Sequence, residues 1–161
     1  METVPGVPAL KIDIDTARPQ DAEHVLRLVE ENRLTTDGLL DALATILVAR
    51  LDQRIVGTAA LEIYADGALL RSVAVSADVR RRGLGASLIN AALRVADDLK
   101  VHDVFLLTFS AERYFHRFGF QPVDRHEVPV SVQTSVQFTG ACPSSALVMR
   151  KRLKALQQGG S

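Results

Sequence analysis

The sequence predicts one mixed α/β domain built around a single sheet. Three observations carry this: strand-like segments succeed one another between about Thr45 and Val75 with hairpin-length gaps, a long amphipathic helix follows at 83–100, and a short apolar run at 104–109 comes directly after it. Consecutive strands with short connections pair antiparallel, whereas a strand–helix–strand unit sets its two strands parallel. A chain of 161 residues suits one compact domain, and 47% hydrophobic against 24% charged residues is too apolar for wholesale disorder.

Each element has its own signal. Residues 1–9, with two prolines and a glycine, and the tail 154–161 read as flexible ends around a domain at 10–153. Leu10 to Asp15 alternates apolar and polar side chains, the period of a strand. Pro19 stands where a helix can begin, and Ala22, Val25, Leu26, Leu28 and Val29 form an apolar stripe through about Arg33. Residues 36–43 predict a short second helix. Ile46–Leu51 and Arg54–Tyr64 are rich in branched residues and separated by Asp52-Gln53, a hairpin turn. Ala65-Asp66-Gly67-Ala68 contains Asp-Gly, a strong hairpin signal, and leads into a strand at Leu69–Val75. With a two-residue turn there, Glu62 lies across from Arg71; a one-residue slip would send them to opposite faces. Leu84, Leu88, Ala91, Ala92, Val95 and Leu99 give the helix at 83–100 its apolar side. Val104–Phe109 reads as a buried strand, Ala111–Phe118 as a short helix ended by Gly119, and Phe120–Val123 as a further strand. After a less regular stretch at 126–143, Ala146–Arg150 is the last strand.

Composition excludes several functions. Nineteen basic and nineteen acidic residues leave no net charge, so nothing global favours nucleic acid or an anionic membrane. No apolar run approaches the roughly 20 residues of a membrane span, and the N-terminus lacks a secretory pattern. The single cysteine, Cys142, rules out an internal disulfide, fits a reducing compartment, and reads as a packing residue beside Pro143 rather than a nucleophile. A soluble cytoplasmic protein without a metal site is expected.

The informative stretch is Leu69 to Leu93: a strand, a basic loop with two glycines, and a long helix. A helix start carries unpaired N–H groups and the positive end of the peptide dipoles, which favours anions. Gly83 and Gly85 remove side chains where a phosphate must approach the backbone, while Arg80, Arg81 and Arg82 add positive charge. These features point to a diphosphate-bearing ligand, unless the arginines are a solvated loop and the glycines a plain turn. Neither the Walker nor the Rossmann pattern fits, for Gly-Lys-Ser/Thr is missing and Leu88 stands at the third glycine.

Val73-Ala74-Val75-Ser76-Ala77-Asp78-Val79-Arg80-Arg81-Arg82-Gly83-Leu84-Gly85-Ala86-Ser87-Leu88 resembles the central motif of the GNAT N-acetyltransferases, Arg/Gln-x-x-Gly-x-Gly/Ala after a strand. Phe115-His116-Arg117-Phe118-Gly119-Phe120 is similar to that family's second motif, a helix ending in Gly-Phe. The resemblance implies the GNAT fold, a mixed and mostly antiparallel sheet of about six to seven strands with about four helices, and acetyl-CoA as cosubstrate. It implies that backbone groups of Val73 and Val75 pair with the pantetheine arm. Amides from Arg81 through Gly83, Leu84 and Gly85 to Ala86 would cradle the pyrophosphate, with Arg80 and Arg82 beside them. A strand amide near Val73 or Ala74 would donate to the oxyanion. Many members carry a tyrosine four residues before the Gly-Phe glycine as acid for the departing thiolate. Here that place holds Phe115, and Tyr114 is one residue earlier, turned about 100° around a helix. Tyr114 or water would then serve, or the thiolate leaves unprotonated. His116 reads as a surface residue.

Glu62 is the best-placed carboxylate for a general base; its other reading is an ion pair with Arg71. Arg71 could instead grip a substrate carboxylate through its planar fork. Ser72 and Thr108 are further polar candidates. The stretches Asp124–Pro129, Gln137-Phe138 and Ala141–Ala146, with Leu69–Ser72, resemble N-acetyltransferases encoded with arsenic-resistance genes, themselves similar to short amino-acid acetyltransferases such as bacterial N-acetylglutamate synthases. That resemblance implies a small amine bearing a carboxylate, an amino acid or arsenical analogue. An acetyltransferase acting on protein amines and a catalytically silent acyl-CoA sensor stand as alternatives, and a homodimer stays open.

Overall fold

The computed structural model describes residues 11–141 and 145–153; the strand start at Leu10, the terminal segments 1–9 and 154–161, and Cys142 lie outside the described residues. Seven strands form one sheet in the order β1-β2-β3-β4-β5-β7-β6. They are β1 (Ile12–Thr16), β2 (Ile46–Leu51), β3 (Arg54–Tyr64), β4 (Gly67–Val75), β5 (Asp103–Thr108), β6 (Gln121–Pro122) and β7 (Leu147–Arg152). The helices are α1 (Ala22–Glu31), α2 (Leu84–Asp98), α3 (Glu112–His116) and α4 (Val130–Gln133). Among the described residues only the β4–β5 pairing is parallel, as expected for the two strands joined through α2.

The expected helix at 36–43 is a 3-10 segment, Leu39–Thr45, entered through Gly38 at φ 69°. Pro19 opens a 3-10 turn that runs into α1, whose start is anchored by Asp21: this carboxylate accepts the Arg18 amide at 2.8 Å and pairs with Arg50. Arg50 beside it holds the Asp21 carboxyl below its ordinary value.

The helices divide the sheet into two faces. On one, Leu84, Leu88 and Ile89 of α2 pack on Leu47, Leu61, Leu70 and Leu106. On the other, Val25, Leu28 and Val29 of α1 cover Ile46, Val48, Ala60 and Ala74, and Val132 of α4 covers Leu69, Phe105 and Val148. Each such buried side chain contributes about 1.5–3 kcal/mol relative to exposure, so an α2 packed across β2, β3 and β4 fixes where its N-terminus sits against β4.

The β3–β4 turn departs from the sequence expectation. Tyr64 pairs with Gly67, so the turn residues are Ala65 and Asp66, and Glu62 lies across from Leu69 while Arg71 lies across from Ala60. The slip is two residues, an even number, so Glu62 and Arg71 stay on one face as diagonal neighbours. Gly67 is used by the strand instead of the turn: a Cβ there would stand 3.1 Å from the Asp103 carbonyl and 3.2 Å from the Phe105 ring. The turn with two positive φ values is the preceding one, Asp52 (51°) and Gln53 (73°).

Candidate active site

Two irregularities in β4 make the site. Its pairing with β5 stops after Ala68↔Val104 and Leu69↔Phe105, so beyond that point the two strands part. The β3–β4 register also shifts between Thr58 and Ala60, and Ser72 takes φ 58°, a left-handed conformation costing a non-glycine residue about 1–2 kcal/mol. This is a bulge, a device that re-aims backbone and side chains.

The parting of β4 and β5 opens a cleft of about 440 Å³, lined by Leu70, Arg71, Ser72 and Val73 from β4 and by 106–111, the end of β5 and the residues after it. Arg33, Leu34 and Thr35 from the segment after α1, together with Tyr114, Phe115 and Gln137, complete it. A second cavity of about 400 Å³ lies at the loop between β4 and α2. Its walls are Val75, Val79, Arg80, Arg81, Gly83–Ala86, Tyr114 and Arg117. Tyr114 borders both, so it stands at their junction.

The loop has the conformation an anion cradle needs. Arg81 (φ 69°) and Gly83 (φ 75°) are left-handed, and Gly83 is the residue immediately before α2. The helix therefore presents its first N–H groups into a cavity where Gly83 adds no side chain. A Cβ on Gly85 would come 2.9 Å from the Tyr114 Oη. Of the residues expected at 80–86, all but Arg82 line this cavity, with differences of detail. Arg81 and Arg82 are exposed, whereas the Leu84 side chain is buried in the core and leaves only its backbone to a ligand. Arg80 is engaged: Nε donates to the Val75 carbonyl at 3.2 Å and Nη2 to Asn32 Oδ1 at 3.0 Å. Asn32 Nδ2 donates to the same carbonyl at 3.4 Å. Two protein donors therefore already meet the Val75 oxygen.

Tyr114 packs edge-on against Phe115 and Phe118, with the Arg117 guanidinium 5.5 Å from its ring centre. Among the described residues its hydroxyl has no hydrogen-bond partner, and burial pushes its pKa up. The hydroxyl stands beside Gly85 at the edge of the loop cavity. The His116 Nδ1 lies 3.2 Å from the Phe120 carbonyl, on the end of α3. Thr108 Oγ1 accepts the Ala111 amide at 3.1 Å and shapes the turn into α3.

Glu62 differs from the expectation of an available base. Its Oε2 accepts from Arg71 Nη1 at 2.8 Å and its Oε1 from the Tyr64 hydroxyl at 2.6 Å. Both side chains of the ion pair are buried, and Glu62 lines a separate cavity of about 450 Å³ with Gly38, Asp41, Thr45, Tyr64 and Ser135. A carboxylate with both oxygens satisfied inside the fold is a poor proton acceptor for an amine in the cleft. Arg71 differs too: Nε donates to Ser72 Oγ at 3.1 Å, Nη1 also to the Asp37 carbonyl at 2.7 Å, and Nη2 to the Thr35 carbonyl at 3.1 Å. Four of its five N–H groups are used, which leaves no free fork for a bidentate carboxylate.

Sequence reasoning missed Asn32, Tyr64 and Arg117. Arg117 carries a local signal, three residues after Tyr114 and so beside it on a helix. Tyr64 carries one too, two residues after Glu62 and so on the same face of β3, whereas Asn32 is recruited by tertiary contacts. No group of three or more His, Cys, Asp or Glu among the described residues could hold a metal, and no helix of the described residues is long and apolar enough to cross a membrane.

Comparison with known proteins gives a consistent picture. The family model for the acetyltransferase (GNAT) domain matches residues 42–122. An amino-acid acetyltransferase of Mycobacterium tuberculosis is 32% identical over 130 residues, 78% of this chain and 69% of the relative. A Mycobacterium tuberculosis protein solved in complex with CoA and NLQ superposes with a TM-score of 0.75 at 25% identity, over 88% of this chain and 99% of that one. The Neisseria gonorrhoeae N-acetylglutamate synthase solved with coenzyme A and N-acetyl-glutamate gives a TM-score of 0.76 at 21% identity. It is similar in fold over 91% of this chain, which spans 36% of the synthase.

Proposed function

Since the chain belongs to the GNAT acetyltransferase family, we propose that it acetylates the primary amine of a small carboxylate-bearing acceptor, an amino acid or amino-acid analogue. Its activity class is that of an acetyl-CoA-dependent N-acetyltransferase. The observation that carries the acceptor reading is the cleft, where Val73, Thr108 and Tyr114 on the cofactor side meet Thr35, Arg71 and Ser72.

The residues present fit acetyl-CoA. Arg81, Arg82, Gly83, Gly85 and Ala86 would hold its pyrophosphate, and Val73 its pantetheine arm; pairing with the Val75 carbonyl requires Arg80 to give up that oxygen. Bound there, the cosubstrate supplies an activated acetyl thioester. Around it the protein supplies position, a β4 amide at Val73 or Ala74 for the negative charge that builds on the carbonyl oxygen, and the Tyr114 hydroxyl as proton donor. With Glu62 engaged, the acceptor ammonium loses its proton to water in the cleft. A homodimer, a cytoplasmic location and activity on arsenical amino-acid analogues belong to the same proposal, the last supported by sequence resemblance alone.

The test is release of free thiol from acetyl-CoA with each of the twenty common L-amino acids. Turnover confined to peptide N-termini would overturn the small-acceptor reading, and coenzyme binding without any turnover would favour a sensor. Gly83→Val places a branched side chain at φ 75° and should abolish coenzyme A binding by calorimetry while the circular dichroism of the fold persists. Unchanged affinity would remove the loop from the cofactor site.

A further inference from the structure

We infer that Tyr64, Glu62 and Arg71 form a positioning chain that fixes segment 35–37, and with it the cleft wall Arg33–Thr35, and so sets acceptor affinity without touching the cofactor. The inference rests on the acetyltransferase reading above.

The segment between α1 and the 3-10 turn crosses the β4 face, and its residues Arg33, Leu34 and Thr35 line the cleft. Its carbonyls at Thr35 and Asp37 point to Arg71, which is 4% exposed and donates to both. A carbonyl turned inward needs a donor, because an unmet buried acceptor costs about 1–3 kcal/mol. The guanidinium supplies two such donors from one rigid plane, and its Nε meets Ser72, the left-handed residue of the bulge next to Val73. One side chain thereby sets the distance between the acceptor wall and the strand where the thioester would lie.

Such a cation cannot be buried alone, and Glu62 neutralises it. Glu62 in turn is held by Tyr64, whose hydroxyl points away from the cleft and lines the other cavity. Gly38 closes the arrangement: a Cβ there would stand 3.1 Å from Val136 and at ordinary contact distance, 3.8 Å, from Arg71 Nη1, so the segment is packed between the two. Tyr64 borders neither the cleft nor the cofactor cavity, so any effect it has on acceptor binding must travel through Glu62 and Arg71. Lysine is no substitute for Arg71, since three donors on a single nitrogen cannot span Ser72, Glu62 and two carbonyls of another segment.

The test uses the full chain carrying Tyr64→Phe or Arg71→Lys, with three readouts: coenzyme A affinity by calorimetry, steady-state kinetics with the best acceptor among the twenty L-amino acids, and hydrogen exchange of the amides at 34–38. We expect Tyr64→Phe to raise the acceptor KM about tenfold and Arg71→Lys more, kcat to change little, and coenzyme affinity to hold. Exchange at 34–38 should quicken in both. Unchanged KM in both variants, or coenzyme affinity falling as far as KM rises, overturns the inference. If the wild type turns over no amino acid, the function falls separately and exchange decides: quickening at 34–38 sustains the chain, and no quickening sinks it. Should Arg71→Lys fail to fold, Tyr64→Phe, which keeps the ion pair, carries the same comparison.

Discussion

Tyr114 and Glu62 exchange importance once their surroundings are known. Tyr114 has a hydroxyl without a partner among the described residues, held neutral by burial and directed at Gly85. It can give a proton at neutral pH and cannot take one. Tyr114→Phe should therefore lower kcat about ten- to a hundredfold with little change in the acetyl-CoA KM, the smaller end reflecting that a thiol is an acidic leaving group. Stopped-flow or steady-state thiol release checks it; full activity in the variant would hand the role to water. Glu62 loses its apparent availability for the converse reason: both of its oxygens face donors of the protein. No reading of residue types alone separates these two cases, because availability is a property of neighbours.

At the scale of elements, the hairpins and α2 were legible because their signals are local. Branched residues cluster at Ile46–Leu51 and Arg54–Tyr64, and both strands have those ends in the structure. The expected stripe from Leu84 to Leu99 is met by a helix whose apolar side is packed on the sheet as far as Val95, while Leu99 falls just past the helix end and is half exposed. The shape of the loop before α2 was legible too, since its glycines mark a tight turn and Gly83 stands left-handed directly before the helix. Two features were hidden. The bulge at Ser72 carries no glycine or proline to mark it, and the β3–β4 turn misleads because Gly67 answers to a different demand, the approach of Asp103 from β5. That demand is testable. Gly67→Val should destabilise the fold by about 2–4 kcal/mol in urea unfolding, as overpacking against a carbonyl and a ring beside the two residue pairs that join β4 to β5. A variant as stable as wild type would mean that the β5 edge has room to yield.

Over the whole molecule, stability should respond to pH through Tyr64 in a particular direction. Burial first and the Glu62 carboxylate second push its pKa up to about 12 from an ordinary value of 10.0. The folded state thus retains a proton that the unfolded chain releases sooner. The contribution is fully present below pH 10 and is lost as pH rises toward 12. The melting temperature of the wild type should fall more steeply over that window than that of Tyr64→Phe; parallel curves would show that the hydroxyl is not held as described. Outside this window the molecule has equal numbers of acids and bases, so long-range charge contributes little and local arrangements decide its chemistry.

The bulge in β4 has one more consequence. Leu69, Arg71 and Ala74 all face the side covered by α1 and α4, while Leu70, Val73 and Val75 face α2. From 71 to 74 and from 70 to 73 is three positions, an odd step that a regular strand would resolve onto opposite sides. The extra residue at 72 is a change of phase, and it lets the ion-paired half of the strand and the half leading to the cofactor loop each keep its inward side chains. Losing or gaining a residue between Arg71 and Val73 would invert everything downstream. What lineage drift must preserve in this strand is its length.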